Sequence, residues 1–595
     1  MELLNYMGIY VEYEDVYTDK PLTLEQITDY FSLLNKEQTI QTLAKLNIAL
    51  WKEKNNAKFQ LSIAELFFNE AELQSISKAV KKKSKEGKVF LFSRKQLLLA
   101  MKLLLLAPSK SSNKPNNKEL GKILLSISSN LEDPLPKTFF KGQIAKGILE
   151  AYTKLYPFYN KGKMIHNVAR NLYFWTDLLS SEEGKNILSK LSFDPLQHFQ
   201  KTFGISVEEF MMLTFTTLAR LDQLDILTEK PENFIMYPNF FENTAIDPNT
   251  IDNMYAPITI NVNDVKETNK RIVKDYLNET PDIKNNFILF QENPYIGILT
   301  DLKIVCDPVF LEERMATAPY YLVLNDVYKD KAKRIDMGTL YGDLLELYIK
   351  EILESLFDNV IKLPESSSPT PDFLCIKDDI GYVIEAKKVA IPFRMQFTGR
   401  ESDIEKLLID SEAKDFTKKS NFPKGFYQIY SLIDRLDEQD YLNLNLTTTL
   451  VGKIESLTKV YPMLITDSSI PDHPELRLKL ENELFTKLKK GKYNTLTVAE
   501  PVFISIQDLE VIECICYSEN VNTLFEEYNA LYRSRIDNLD FIMPNGTKVG
   551  VFNIPNKIIP MWHFLHTKYG KYCNNQRLKK FFDRKFDEYK KLLFP

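Results

Sequence analysis

The stretch of sequence that decides the fold is residues 371–387, which reads P-D-F-L-C-I-K-D-D-I-G-Y-V-I-E-A-K. Two apolar, strand-like segments flank a short Asp-Asp turn. The first segment begins with Asp372, and the second carries Glu385 and Lys387. Strand side chains alternate between two faces, so Glu385 and Lys387 share one face. Antiparallel pairing about the turn places Asp372 opposite Glu385 or Ala386, with Cβ atoms about 5 Å apart.

The acid–x–Lys tripeptide at Glu385 is not diagnostic by itself. It recurs at Glu86–Lys88, Glu183–Lys185, Asp264–Lys266, Asp301–Lys303 and Glu412–Lys414. The copy at Glu385 differs from these because a strand with its own acid precedes it, and because its own strand is β-branched and aromatic. A charged pair inside such a core-like strand costs free energy unless it is paired or binds a metal.

Two carboxylates and one ammonium arranged in this way resemble the core of the PD-(D/E)xK nuclease superfamily, the restriction-endonuclease-like fold. The resemblance implies hydrolysis of phosphodiester bonds with Mg²⁺, for which Mn²⁺ substitutes. It also implies that Asp372, Glu385 and the carbonyl of Ala386 bind the metal. Lys387 would orient or deprotonate the attacking water, or stabilise the developing charge. Mg²⁺ prefers oxygen ligands of this kind.

The flanking helices add two candidate residues. An upstream helix is predicted by apolar residues at helical spacing, namely Leu345, Tyr348, Ile349, Ile352 and Leu356. By resemblance, Glu346 on this helix supports the metal site as a further ligand; the alternative is a surface pair with Lys350 at i,i+4. Gln428, on an amphipathic helix after the motif, matches a Gln that many members carry there. Its alternative is an ordinary amide on a helix face.

The resemblance covers about Tyr341 to Cys516, with the expected order helix, strand, strand, strand, helix, strand, strand. The last two strands are predicted from the apolar runs K-V-Y-P-M-L-I-T-D and P-V-F-I-S-I-Q-D-L-E-V-I-E-C-I. The expected fold is therefore multidomain α+β. A mostly α-helical N-terminal half precedes an α/β restriction-endonuclease-like core with a central mixed sheet.

The rest of the chain is divided by composition and periodicity. The expected units are a helical region that resembles a winged helix (1–106), a loop or linker (107–119), helices with an irregular connection (120–285), a strand-containing lead-in (286–340), the nuclease core (341–516) and a C-terminal extension of helices and a hairpin (517–595). A strand at Lys58–Ile63 would complete the winged helix, which either docks in a DNA groove or simply packs. The hairpin is predicted from Asn545-Gly546.

Composition limits the partners and the compartment. The net charge is −5, so nucleic acid would have to bind through local basic patches. Five cysteines in 595 residues do not form a disulfide framework. The first residues carry acid and no basic segment, so we expect a cytoplasmic protein without a secretory signal and without a membrane partner. The sequence has no Walker A or G-x-G-x-x-G motif.

Three functions stay open at this point. A DNA endonuclease is favoured, because the chain resembles prokaryotic restriction and anti-phage defence nucleases. The first alternative is an RNA-cleaving effector of the same fold. The second is a non-catalytic scaffold or nucleic-acid-binding protein. A homodimer and a partner defence protein are both compatible with the sequence.

Overall fold

The structure is a computed structural model of the 595-residue chain. It describes residues 9–53, 57–85, 89–131, 164–223, 235–236, 241, 244–274, 283–299, 302–364, 369–388, 421–440, 448–467, 493–533, 539–542, 548–552, 561–569 and 575–593. Within these ranges the chain is a mixed α and β structure in which helices predominate.

The N-terminal part is a helical layer around one buried helix. Its helices are α1 (Leu24–Phe31), α2 (Lys36–Lys52), α3 (Ala57–Phe67), α4 (Glu70–Lys83), α5 (Arg94–Leu106) and α6 (Asn117–Asn130). Short strands β1 (Ile9–Tyr10) and β2 (Val89–Phe90) pair in parallel. Helix α5 is buried nearly all round, as its Leu-rich sequence predicts. The loop between α5 and α6 is tied to the α1–α2 turn, because the Asn35 amide donates to the Asn113 carbonyl at 2.7 Å.

The strand expected at Lys58–Ile63 is wrong, because these residues lie in helix α3. The buried residues of this helix are Gln60, Ile63, Ala64 and Phe67. They follow the i, i+3, i+4, i+7 spacing of one helix face. The apparent strand pattern came from a window that ended before Phe67. This part of the chain therefore lacks the wing of a winged helix at the expected place.

The middle of the chain continues with helices and a small sheet. The helices are α7 (Met164–Tyr173), α8 (Glu182–Ser189), α9 (Pro195–Phe203), α10 (Val207–Gln223), α11 (Pro248–Tyr255), α12 (Val265–Ile272), α13 (Ile288–Glu292) and α14 (Pro308–Asp326). The sheet order is β3 (Ile235–Met236), β6 (Leu302–Val305), β5 (Tyr295–Leu299) and β4 (Thr259–Asn261). The expected lead-in (286–340) thus contains strands β5 and β6 and the long helix α14, and its limit at residue 340 falls inside the following helix, Lys331–Leu356.

The core has the order of elements expected from the sequence, with one short helix and one short strand added. It comprises α15 (Lys331–Leu356), β7 (Asn359–Lys362), β8 (Phe373–Lys377), β9 (Ile380–Lys387), α16 (Asn421–Asp437), α17 (Thr448–Glu455), β10 (Lys459–Thr466), β11 (Thr497–Val498) and β12 (Val502–Ser505). Strands β7, β8 and β9 are antiparallel, whereas β10 runs parallel to β9, β11 and β12. The sheet is therefore mixed, as expected.

The last predicted strand is shorter than expected. Strand β12 ends at Ser505, and the residues after it form helix α18 (Ile506–Ile515). Ser505 caps this helix, and the Asp508 carboxylate accepts a hydrogen bond from the Ser505 amide in return. The S-x-x-D pattern of such a capping box is a helix-start signal. Our prediction of a strand over the whole apolar run overlooked that signal.

The C-terminal extension consists of helices and a hairpin, as expected. Helices α19 (Val521–Arg533), α20 (Met561–Tyr569) and α21 (Gln576–Leu593) accompany the antiparallel strands β13 (Leu539–Ile542) and β14 (Lys548–Phe552). The turn at Asn545-Gly546 lies outside the described residues. Helix α21 packs against α7 and forms ion pairs, such as Arg577 with Glu351 at 2.9 Å. Among the described helices, none has the length and apolar character needed to cross a membrane.

Candidate active site

The β8–β9 hairpin sets two carboxylates side by side. Its turn is formed by Asp378 and Asp379, and Asp378 adopts a left-handed conformation with φ 55°. Phe373 pairs with Ile384, and extending this register by one residue places Asp372 opposite Glu385. The sequence-based register is therefore confirmed.

Backbone hydrogen bonds hold both carboxylates in place. The Ala386 amide donates to Asp372 Oδ2 at 2.7 Å, and the Asp372 amide donates to Glu385 Oε2 at 3.1 Å. Each acid is thus fixed by the backbone beside the other acid. The carbonyl of Ala386 as a metal ligand stays a prediction, since its amide is the group with an assigned partner here.

Lys387 lies on the same face as Glu385, and its ammonium forms an ion pair with the Glu385 carboxylate. Helix α16 covers this face. A Cβ atom added to Gly425, in the first turns of α16, would lie 3.3 Å from Glu385 Cγ and 3.4 Å from Lys387 Cε. Glycine therefore lets the helix backbone approach the two side chains more closely than another residue would.

Burial and mutual repulsion make this site poor at carrying negative charge. Glu385 is 0% exposed, and burial followed by the charge of Asp372 raises the pKa of Glu385 to about 8. Burial followed by the charge of Glu346 raises the pKa of Asp372 to about 6. For Lys387 burial acts to lower the pKa, but the carboxylates outweigh it and the pKa is raised. The site therefore favours additional positive charge beside the two carboxyl groups.

Glu346 is close enough to the carboxylate pair to act on Asp372 through its charge, and its role as a metal ligand stays a prediction. Its carboxylate forms an ion pair with Lys362 on β7 at 3.1 Å. The alternative surface pair of Glu346 with Lys350 is wrong, because Lys350 pairs with Glu354 instead. Glu346 acts on Asp372 through its charge.

Gln428 supports the segment that carries Asp372. Its side-chain Nε2 donates to the carbonyl of Thr370 at 2.8 Å. Its Oε1 atom is buried and accepts no hydrogen bond within the described part of the chain. The structure therefore gives Gln428 a positioning contact two residues before Asp372, which is more than an ordinary helix-face amide provides.

The donor set fits a divalent cation held by few protein ligands. Within the described ranges, no group of three or more His, Cys, Asp and Glu residues is placed to hold a metal ion. Mg²⁺, however, is usually bound by one or two carboxylates together with waters and substrate phosphates. Asp372 and Glu385 supply such a pair, and their raised pKa values mark a place where added positive charge is stabilising.

Sequence reasoning missed three contacts at this site. These are the close approach of Gly425, the ion pair of Lys362 with Glu346, and two tyrosine rings around Lys388. A lysine on a strand edge and a glycine in a helix turn carry no local signal of their function.

Comparisons of the chain with protein-family models, curated proteins and solved structures gave no match.

Proposed function

We propose that the protein hydrolyses phosphodiester bonds with a divalent cation, and that DNA is its preferred substrate. The observation that carries this proposal is the pairing of the buried Glu385 with the half-buried Asp372, with Lys387 in contact with Glu385. A buried carboxylate beside a second, partly buried one is costly in a purely structural role, because burial and the charge of Asp372 both raise the pKa of Glu385. Binding of a cation and a phosphate group at the site would offset that free-energy cost.

The side chains have separate tasks in this proposal. Asp372 and Glu385 would hold the cation, which when bound supplies positive charge beside the scissile phosphate. Water attacks phosphorus, the bond to the leaving sugar oxygen breaks, and that oxygen takes up a proton. Lys387 keeps a raised pKa and so remains an ammonium at neutral pH. It is therefore better suited to stabilise charge on the phosphate than to remove a proton from water.

The choice between DNA and RNA rests on the resemblance to prokaryotic defence nucleases, and the same chemistry would serve an RNA-cleaving effector. A scaffold without activity would also keep the fold. The ion pair of Lys387 with Glu385 and the glycine beside it are arrangements that a scaffold does not require. They therefore favour an enzyme.

A cleavage assay separates these functions. Purified protein is incubated with labelled duplex DNA, single-stranded DNA and RNA, with Mg²⁺, with Mn²⁺ and with a chelator. We expect metal-dependent cleavage of DNA that Lys387→Ala and Asp372→Asn abolish. Lys377→Ala is the matched control, because Lys377 lies at the other end of the hairpin and pairs with Asp358 at 2.6 Å. Cleavage of RNA alone would select the effector, and no cleavage of any substrate would select the scaffold.

A further inference from the structure

The lysine after the motif has a defined environment of its own. The Lys388 ammonium lies over the ring of Tyr320, 3.9 Å from the centroid, and over the ring of Tyr341, 4.2 Å from the centroid. The two rings also contact each other, with centroids 5.2 Å apart. Two aromatic faces on one ammonium form a cation–π clamp, which is strongest where water is excluded.

The clamp joins three elements at one end of the sheet. Lys388 directly follows β9, Tyr320 lies on α14, and Tyr341 lies on α15. Tyr320 is 7% exposed, so its ring is held by packing and has little freedom to move away. The charged group that acts on Lys388 from the neighbouring strand is Asp467, just after β10. The end of β9 is thereby fixed from the face opposite to the carboxylates.

Helix α14 is in turn fixed to the N-terminal helices. Its N-cap residue, Asp307, accepts hydrogen bonds from Arg94 Nε at 2.6 Å and Arg94 Nη2 at 2.7 Å. Asn47 Nδ2 donates to the same carboxylate at 2.9 Å. These groups are buried, and a buried bidentate Arg–Asp pair has little freedom of geometry. A continuous chain of fixed contacts therefore runs from α2 and α5 through α14 to Lys388.

We propose that Lys388 is a positioning residue for the active site. The clamp of Tyr320 and Tyr341 holds the end of β9 and so sets where Lys387 and Glu385 stand. The N-terminal helices take part in cleavage through this contact and need not touch the substrate. The effect on catalysis rests on the proposed function, whereas the clamp itself does not.

The test uses the full-length chain and paired substitutions. Lys388→Met removes the charge and keeps the volume, whereas Lys388→Arg keeps the charge. Tyr320→Leu removes the aromatic face, whereas Tyr320→Phe keeps it. We expect Lys388→Met and Tyr320→Leu to lower kcat by about 10- to 100-fold at an unchanged KM, since small displacements of reacting groups have effects of this size. Lys388→Arg and Tyr320→Phe should stay close to the wild type.

Two results would overturn the inference. One is a folded Lys388→Met variant with the kcat of the wild type. The other is equal loss in the Arg and Met variants, which would mean that charge over the rings is not the cause. Hydrogen exchange of residues 380–388 provides a readout that needs no activity. Faster exchange in Lys388→Met, but not in Lys388→Arg, supports the clamp even if the wild type cleaves nothing, and unchanged exchange in both contradicts it.

Discussion

The raised pKa of Glu385 predicts how the site binds metal. With a pKa raised to about 8, Glu385 holds its proton in most metal-free molecules at pH 7, and its ion pair with Lys387 forms in the molecules that have lost that proton. A divalent cation needs the carboxylate, so binding should release about one proton and the affinity should rise about tenfold per pH unit between pH 6 and 8. Glu385→Gln removes both the ligand and the proton. Its remaining pH dependence should move to the range of Asp372, near pH 6.

Titration calorimetry with Mn²⁺ measures this directly. The heat of binding is compared in two buffers with different ionisation enthalpies, which gives the number of protons released. Glu354→Gln is the control, because Glu354 pairs with Lys350 on the surface and should change nothing. An affinity that is flat from pH 6 to 8 would refute the reasoning. So would a Glu385→Gln variant that binds Mn²⁺ and releases protons as the wild type does.

The raised pKa of Glu385 also predicts how the stability of the folded protein depends on pH. The folded state holds the Glu385 proton more tightly than the unfolded state, whose pKa is near 4.5. This contribution to stability is complete below pH 4.5 and is lost as the pH rises through about 8. The metal-free protein should therefore melt at a lower temperature as the pH rises. Added Mg²⁺ should raise the melting temperature most at high pH.

Further predictions concern the groups around the carboxylate pair. Gly425→Ala should lower the cleavage rate on the order of tenfold, because the added methyl group displaces catalytic side chains by a few tenths of an ångström. Gly338→Ala, where an added Cβ meets nothing within 4 Å, should keep the rate, and equal rates in both variants would contradict us. Glu346→Gln should shift the acid limb of the pH–rate profile to lower pH, because its charge raises the pKa of Asp372. Lys362→Gln should shift that limb to higher pH, because the charge of Lys362 lowers the pKa of Asp372. A shift of the acid limb in the same direction in both variants would contradict the assigned effects of the two charges.

The hairpin and its acids could be predicted from the sequence because their information is local. A two-residue turn fixes the register, and strand alternation fixes the faces. Asp372, Glu385 and Lys387 are therefore brought together as expected. Asp–Asp is not the commonest turn pair, and the left-handed conformation of Asp378 is one that Asp tolerates.

The errors arose where the deciding information is distant or lies just outside the segment considered. Phe67, which reveals the helical period of α3, lies beyond the expected strand, whereas the cap at Ser505 lies inside the apolar run and was overlooked as the start of α18. The partner of Glu346 is Lys362, a residue of an edge strand, and only the packed sheet brings them together. The rings around Lys388 come from two helices, one of them before the expected core. No spacing rule predicts such a contact.

The position of Mn²⁺ in crystals grown with the metal and a nucleic-acid substrate analogue tests the central claim most directly. Anomalous scattering identifies the ion without reference to the surrounding atoms. We predict a peak bound jointly by the carboxylates of Asp372 and Glu385, next to a phosphate of the analogue. A peak elsewhere on the molecule, or a carboxylate pair without the ion at Mn²⁺ concentrations that support cleavage, would contradict the account.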